Sequence, residues 1–189
     1  MFSSLFGRKN KPTGETSTIE TIKDASVGDV FTISNLSISY EDAYLVIEEI
    51  NQYQSVVGKW HEALGVDTEN RLWVSWSQDS GTLYTTACQD ERPVGIESIG
   101  LTDEDMIRLD EEHSIDNYVT VDGTNYYYRF SSETNFFKGC KGTGEGFYLW
   151  DLISENDTRV LTIDKWEGLP FQARFSDVGS PEDIILYKQ

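Results

Sequence analysis

Two aromatic segments of similar pattern contain the side chains best suited to hold a small ligand. One runs from Trp60 to Trp76 and the other from Tyr148 to Trp166. In each, an aromatic stretch precedes an acidic turn, an Arg and an apolar stretch that ends in Trp. Indole rings can stack on a sugar or a peptide, and charged groups can orient a bound molecule. The candidate ligand-binding residues are Trp60, Glu62, Arg71, Trp150, Asp151 and Arg159.

The same residues also have a structural interpretation. Large aromatic side chains dominate the cores of small β proteins, and this favours core positions for most of the five tryptophans. If Arg71 and Arg159 are buried against carboxylates, they stabilise the fold and bind nothing.

Sequence motifs of catalysis are incomplete. The glycine-rich run at residues 139–146 lacks the Lys-Ser/Thr pair of a phosphate loop, because Glu145 and Gly146 stand in its place. His61 and Glu62 begin a zinc-protease motif, but Gly65 occupies the position of its second histidine. We therefore predict no catalytic residues and no enzymatic activity.

Two acidic turns contain oxygen ligands of the kind that calcium prefers. They are Asp67–Asn70 and Glu155–Thr158, and neither has the ligand order of a calcium loop. Asn and Asp are also common in turns that hold no metal. We predict no metal site and no cofactor.

The charge of the chain restricts its partners. It has 33 acidic and 15 basic residues, with a formal net charge of −18 at pH 7. Binding to nucleic acid requires Lys and Arg to displace counterions, so we predict no nucleic-acid partner. The acidity is typical of a bacterial cytosolic protein, and it also suits a face that binds a basic partner.

Residues 1–24 differ in composition from the rest, and we predict a flexible tail and linker there. The alternative is an amphipathic segment that touches a partner or a membrane surface. Large apolar side chains at helical spacing lie beside basic residues in it. These candidate contact residues are Phe2, Leu5, Phe6, Arg8, Lys9 and Lys11.

The cysteines and the apolar runs indicate the compartment. Cys88 and Cys140 do not form a CxxC motif, and we expect Cys88 to be buried and Cys140 to be an exposed thiol. No apolar run approaches the roughly 18 residues that span a bilayer, and no signal-peptide pattern is present. We predict a cytoplasmic protein. If the N-terminal segment contacts lipid, the protein would lie at the inner membrane face.

Alternating apolar and polar residues predict a single, mainly β domain at residues 25–189. Asp122-Gly123 between two alternating runs predicts a tight hairpin. One helix is predicted from Asp103 to Glu112, where Thr102 and Asp105 form a capping box. The predicted fold class is mainly β (α+β with one short helix), with a sandwich or barrel-like architecture.

The domain divides into two similar antiparallel halves, at about 27–100 and 114–188, joined by the helix near 101–112. Without a gap, Leu64 aligns with Leu152, and Arg71 aligns with Arg159 after 88 positions. Two alternative explanations account for this internal repeat: gene duplication, or two unrelated hairpins that follow the same turn rules.

Several landmarks resemble a known bacterial family, domain of unknown function 4178 (DUF4178), from about Val27 to Tyr187. They are Val27-Gly-Asp29, Lys59-Trp60-x-Glu62, Leu72-Trp-Val-Ser75, Asp122-Gly123-x-x-Tyr126 and Leu161-x-Ile163-x-x-Trp166-x-Gly168-x-x-Phe171, followed by Asp183-Ile-Ile. The resemblance implies a small intracellular β-rich protein without known catalytic residues. It also implies membership of multi-gene systems that include small membrane proteins, and hence a membrane-proximal role.

Two functional hypotheses follow. We expect a non-catalytic binding or scaffold protein that contacts protein partners, membrane-associated ones among them, through strand edges or its surface. This hypothesis predicts an exposed apolar patch or an open edge. The alternative is a small-ligand-binding module or enzyme with a pocket between the halves, on which the candidate residues converge.

Overall fold

The computed structural model describes residues 20–36 and 43–189, and they form twelve strands and one α-helix. The helix α1 spans Asp103–Glu112. Four short 3-10 helices lie at Ile22–Asp24, Ile96–Ile99, Lys138–Cys140 and Pro181–Asp183. The strands are β1 (Val30–Ile33), β2 (Leu45–Ser55), β3 (Gly58–Val66), β4 (Arg71–Asp79), β5 (Thr82–Gln89), β6 (Val94–Gly95), β7 (Tyr118–Val121), β8 (Thr124–Phe137), β9 (Glu145–Ser154), β10 (Arg159–Trp166), β11 (Gln172–Gly179) and β12 (Ile184–Tyr187).

Eight of the strands close into an antiparallel barrel. Their order is β2-β3-β4-β5-β11-β10-β9-β8, and β8 pairs with β2 to complete the ring. Within this ring the two predicted halves meet at two seams, β2–β8 and β5–β11, and outside it they also pair at β1–β12 and β6–β11. Closure gives each of these strands two hydrogen-bonded neighbours and leaves none of them as an open edge. The predicted mainly β, barrel-like fold is confirmed.

The hydrophobic core lies outside the barrel wall, in two separate clusters. In the first, β1 and β12 pack on one face of β2 to β5, with Phe31, Leu45 and Leu72 fully buried. In the second, α1 and β7 pack on β8 to β11, with Met106 and Leu161 fully buried. Side chains alternate between the two faces of a strand, so these apolar positions leave the other set pointing into the barrel.

Local sequence signals account for α1 and for the β7–β8 hairpin. The Thr102 amide donates to Asp105 Oδ2 at 3.0 Å, and the Asp105 amide donates to Thr102 Oγ1 at 3.3 Å. This confirms the capping box and the bounds of the helix. Asp122 and Gly123 both have positive φ, at 48° and 79°, as a two-residue hairpin turn requires.

The two aromatic segments form the hairpins β3–β4 and β9–β10, as predicted. The gap-free alignment, however, matches positions that face opposite sides of the wall. Glu62 points into the barrel, whereas its counterpart Trp150 is buried in the second outer cluster. A shift of one residue exchanges the faces of a strand, so side-chain direction does not follow this alignment.

The six candidate contact residues of the N-terminal segment lie outside the described residues. Among the residues that are described, no helix is long and apolar enough to cross a membrane.

Close packing on the outer face predicts a specific sensitivity at Gly65. A Cβ there would lie 2.4 Å from the Phe31 ring and 2.9 Å from Leu45 Cβ, and both side chains are fully buried. We expect Gly65→Ala to lower the free energy of unfolding by about 1–3 kcal/mol in urea denaturation, because the core must shift.

Gly146→Ala is the matched control for Gly65→Ala. A Cβ at Gly146, on β9, meets open space, so Ala should leave stability unchanged or raise it slightly. Equal losses in the two variants would contradict the packing explanation.

Candidate ligand-binding site inside the barrel

The barrel surrounds a cavity of about 900 Å³ that opens to solvent, and residues from all eight of its strands line it. Small-molecule sites in proteins commonly measure about 300–1,000 Å³. Polar inward-facing positions such as Ser75, Thr86, Thr162 and Ser176 alternate along the strands with apolar residues that face outward. The interior is therefore a mixed polar and aromatic chamber.

A hydrogen-bond network fixes Glu62, whose side chain is 8% exposed. Tyr53 Oη donates to Glu62 Oε2 at 2.9 Å, and Ser75 Oγ donates to Oε1 at 3.2 Å. Arg174 Nη1 donates to the same Oε1 at 3.1 Å. The buried carboxylate thus has both a counter-charge and several donors, as a stable buried ion requires.

The ionisation states of Tyr53 and Arg174 follow from this network. Burial, and then the charge of Glu62, raises the pKa of Tyr53, so the phenol stays protonated and donates. Burial alone would lower the pKa of Arg174, but the charge of Glu62 and of other nearby groups raises it. Arg174 is therefore a cation that is stabilised by its carboxylate partner, Glu62.

Asp151 is a second carboxylate in the chamber and is less well satisfied. Arg129 Nε lies 3.3 Å from its Oδ1, but the N–H is not directed at the oxygen. That buried Oδ1 accepts no hydrogen bond from any residue that the structure describes. Burial raises the pKa of Asp151 to about 6, although the charge of Arg129 opposes the shift.

Asp164 is the third carboxylate of the chamber. Its Oδ2 accepts a hydrogen bond from Trp166 Nε1 at 2.5 Å. Burial raises its pKa, and the indole donor and the charge of Arg174 only partly offset this effect.

Aromatic rings gather at the β2–β8 seam, and we call them the aromatic cluster: Tyr53, Trp60, Phe136, Phe147 and Trp166. Tyr53 stacks on Trp60 with centroids 5.3 Å apart, and Phe147 stacks on Trp166 at 4.4 Å. Phe136 contacts both pairs, at 5.2 Å from Tyr53 and 6.2 Å from Trp166. Four of the five rings line the cavity and present an apolar, aromatic wall to it.

The sequence matches the model of one protein family. A sequence model described as "Domain of unknown function (DUF4178)" matches residues 36–174, which is most of the chain. The chain belongs to the DUF4178 family. The predicted family is thereby confirmed, although the landmarks at Val27–Asp29 and from Asp183 lie outside the matched residues. The matched segment contains all three chamber carboxylates and Arg174. No curated protein and no solved structure matches the chain.

The DUF4178 fold brings three of the six sequence-predicted ligand residues to the cavity, namely Trp60, Glu62 and Asp151. Trp150 lies elsewhere: it is 6% exposed and packs in the second outer cluster. Its indole therefore cannot reach a molecule inside the barrel. The alternation along β9 explains the error, because Asp151 and Trp150 are neighbours and must face opposite sides.

Arg71 and Arg159 also lie away from the cavity. Arg71 Nε is 2.7 Å from Asp90 Oδ2, and Arg159 Nε is 3.4 Å from Asp177 Oδ1. Both arginine side chains are half-exposed, at 49%, so the expected pairing with carboxylates occurs near the surface. Such pairs contribute little stability, so neither arginine anchors the core.

Five residues of the chamber were not among the ligand candidates predicted from the sequence: Tyr53, Arg129, Asp164, Trp166 and Arg174. One signal was available for the β10 and β11 residues. Asp164 and Arg174 alternate with the apolar residues Ile163 and Ala173. That pattern predicts that the two charged residues lie on the face opposite the core, but it does not show that this face lines a cavity.

Metal binding finds no support in the part of the chain that the structure describes. No group of three or more His, Cys, Asp or Glu side chains there is placed to hold an ion. Cys88 is buried as expected and Cys140 is exposed, and both are free thiols. Burial raises the pKa of Cys88 to about 11, so its sulfur remains protonated at neutral pH.

The raised pKa of Asp151 predicts a pH-dependent gain in stability for Asp151→Asn. A carboxyl with a pKa of about 6 in the folded state and about 3.9 when unfolded destabilises the fold progressively as pH rises through that interval. We expect the free energy of unfolding of the variant to exceed that of the native chain by about 2 kcal/mol at about pH 7.5. Near pH 4 the two free energies of unfolding should differ little. Urea denaturation at both pH values measures this.

Asp116→Asn is the control for Asp151→Asn, because Asp116 is exposed. It should change stability little at either pH. A loss of stability in Asp151→Asn at about pH 7.5 would show that the Arg129 contact outweighs the cost of burial.

Proposed function

We propose that this DUF4178 protein binds a small organic molecule inside its barrel. The observation that carries the proposal is the chamber of about 900 Å³, whose wall combines an aromatic surface with buried charged groups. Ligand sites typically pair a largely apolar wall with a few polar groups that fix orientation.

The location of the hydrophobic cores supports this proposal. Both lie outside the barrel, so the fold does not need an apolar interior for its stability. Buried ion pairs such as Glu62–Arg174 often stabilise a protein less than apolar residues of the same size would. Buried charged groups in a mixed interior of this kind are expected where those groups meet a ligand.

We propose binding without catalysis, in keeping with the sequence. His61 stacks on Trp76, at 5.5 Å, on the outer side of the wall, and His113 ends α1. The Cys88 sulfur is buried beside Arg174 and Ser176, and burial raises its pKa to about 11, so it stays protonated at neutral pH. Neither His61 nor His113 lines the chamber, so no serine, threonine or cysteine of the chamber has an imidazole base beside it.

Lumen-filling variants test the proposal. The protein is incubated with a cell metabolite extract, exchanged into volatile buffer and examined by native mass spectrometry. We expect a bound small molecule on the native chain, and its loss from Ser176→Trp and Thr162→Trp, because a large indole would occupy the chamber. Circular dichroism checks that each variant is folded.

Thr120→Trp is the matched control, because it adds the same ring at an exposed position of β7. It should retain the bound molecule. Persistence of the molecule in both filling variants, or no bound molecule on the native chain, would overturn the proposal.

A second candidate function is the docking of a protein partner, as expected from the sequence. Its support is an exposed apolar strip formed by Tyr44, Val46, Ile185 and Tyr187, which are 41–62% exposed. Tyr44 and Tyr187 lie with ring centroids 5.8 Å apart, and Val46 and Tyr187 both pair with Val30 of β1. Contiguous exposed apolar surface often marks a protein interface. A partner at the inner membrane face would fit the proposed cytoplasmic location.

Serine substitutions in the strip test the second candidate. We expect Ile185→Ser/Tyr187→Ser to lose a protein that the native chain retains in a tagged pull-down, because the apolar contact area is removed. Ile115→Ser is the control, since Ile115 is 74% exposed and lies next to α1. Recovery of the same proteins by all three chains would argue against docking at the strip.

A further inference from the structure

The chamber has an excess of negative charge. Three carboxylates, Glu62, Asp151 and Asp164, line it together with two guanidinium groups, Arg129 and Arg174. The remaining charged lining residues, Lys59, Asp79 and Asp157, are exposed and add one further negative charge to the balance. A charge that leaves water is costly unless an opposite charge is placed beside it.

Hydrogen-bond satisfaction singles out Asp151 among the three carboxylates. Glu62 accepts from Tyr53, Ser75 and Arg174, and Asp164 accepts from the Trp166 indole. Asp151 Oδ1 is buried, and no hydrogen bond reaches it from the described residues. A buried acceptor without a hydrogen bond destabilises the protein, and a donor on a bound molecule would remove this cost.

The aromatic cluster lies at a fixed distance from this acceptor. Phe147 and Asp151 are both on β9 and face the chamber. They are four residues apart, or roughly 13 Å along a strand that rises about 3.3 Å per residue. A molecule that meets both groups must therefore be elongated.

If the protein binds a small molecule in the barrel as proposed above, we propose that this ligand is an elongated amphipathic cation. Its flat ring system packs against the aromatic cluster, and its ammonium group donates to Asp151. The cation supplies the positive charge that the chamber lacks, and the rings match the apolar wall.

An anionic ligand fits these observations less well. Arg174 already donates to Glu62 and lies near Asp164, so an entering anion would meet these carboxylates as well. Arg129 is half-exposed and paired with Asp151. The net charge of −18 also repels anions from the surface and attracts cations to it.

Three matched fluorescent probes test the charge of the ligand. Each has a dansyl ring system on a pentyl chain, and the chains end in an ammonium, a hydroxyl or a carboxylate group. Dansyl emission rises in apolar surroundings, so a titration gives a dissociation constant for each probe. We expect the ammonium probe to bind about tenfold or more tightly than the hydroxyl probe, and the carboxylate probe to bind most weakly.

Asp151→Asn locates the interaction. It should reduce the preference for the ammonium probe over the hydroxyl probe to near unity, while Asp116→Asn retains it. A folded Asp151→Asn with unchanged preference, equal binding of all three probes, tighter binding of the carboxylate probe, or no binding of any probe would each overturn the inference.

The outcomes separate this inference from the proposed function. A small molecule that is recovered by native mass spectrometry and lost from Ser176→Trp upholds binding in the barrel even if the probes show no charge preference. Absence of that molecule together with absence of probe binding would remove both proposals.

Discussion

The period of two along each barrel strand is the constraint on which the rest of this structure depends. Along a regular stretch of a barrel strand, adjacent residues take opposite faces, one towards the outer layer and the other towards the interior. Bulges at Ile47/Glu49 and Tyr128/Phe130 interrupt this alternation. In this protein the apolar set faces outward, where α1, β7, β1 and β12 cover it. The apolar burial that stabilises the fold thus lies mainly outside the barrel. The interior can therefore contain polar and charged side chains.

The charged groups of the interior illustrate two different outcomes of burial. Glu62 has a cation and two hydroxyl donors in hydrogen-bond contact, so its burial is compensated. Asp151 has one poorly aligned cation, and burial raises its pKa to about 6. Both residues are carboxylates in the same chamber. Their difference arises from the donors that neighbouring strands present, and such incompletely satisfied groups are frequent at binding sites.

The chamber and the apolar strip are separate features and suit different kinds of partner. Strands of both halves line the chamber, and its lining includes residues within the DUF4178 match. The strip lies on β12, Tyr44 and the start of β2, and none of its four residues lines the chamber. A protein can use one surface for a ligand and another for a partner. The two candidate functions are therefore compatible, and a separate set of variants tests each of them.

Local sequence determined the elements of this protein. The capping residues Thr102 and Asp105 set the start of α1, and Asp122-Gly123 set the β7–β8 turn, because both depend on backbone geometry within a few residues. The alternation of apolar residues was enough to predict a mainly β fold and its hairpins. The family resemblance could also be seen from landmarks along the chain.

Only the tertiary structure decided which face of each strand was the interior. The sequence placed Trp150 beside Asp151 as a ligand residue, yet Trp150 packs outside the barrel and Asp151 faces the chamber. Arg174 joins Glu62 across 112 positions of sequence, because β11 and β3 contribute to one closed ring. Strand closure depends on pairings between distant segments, and a single sequence does not specify these in the way that it specifies a turn or a helix cap.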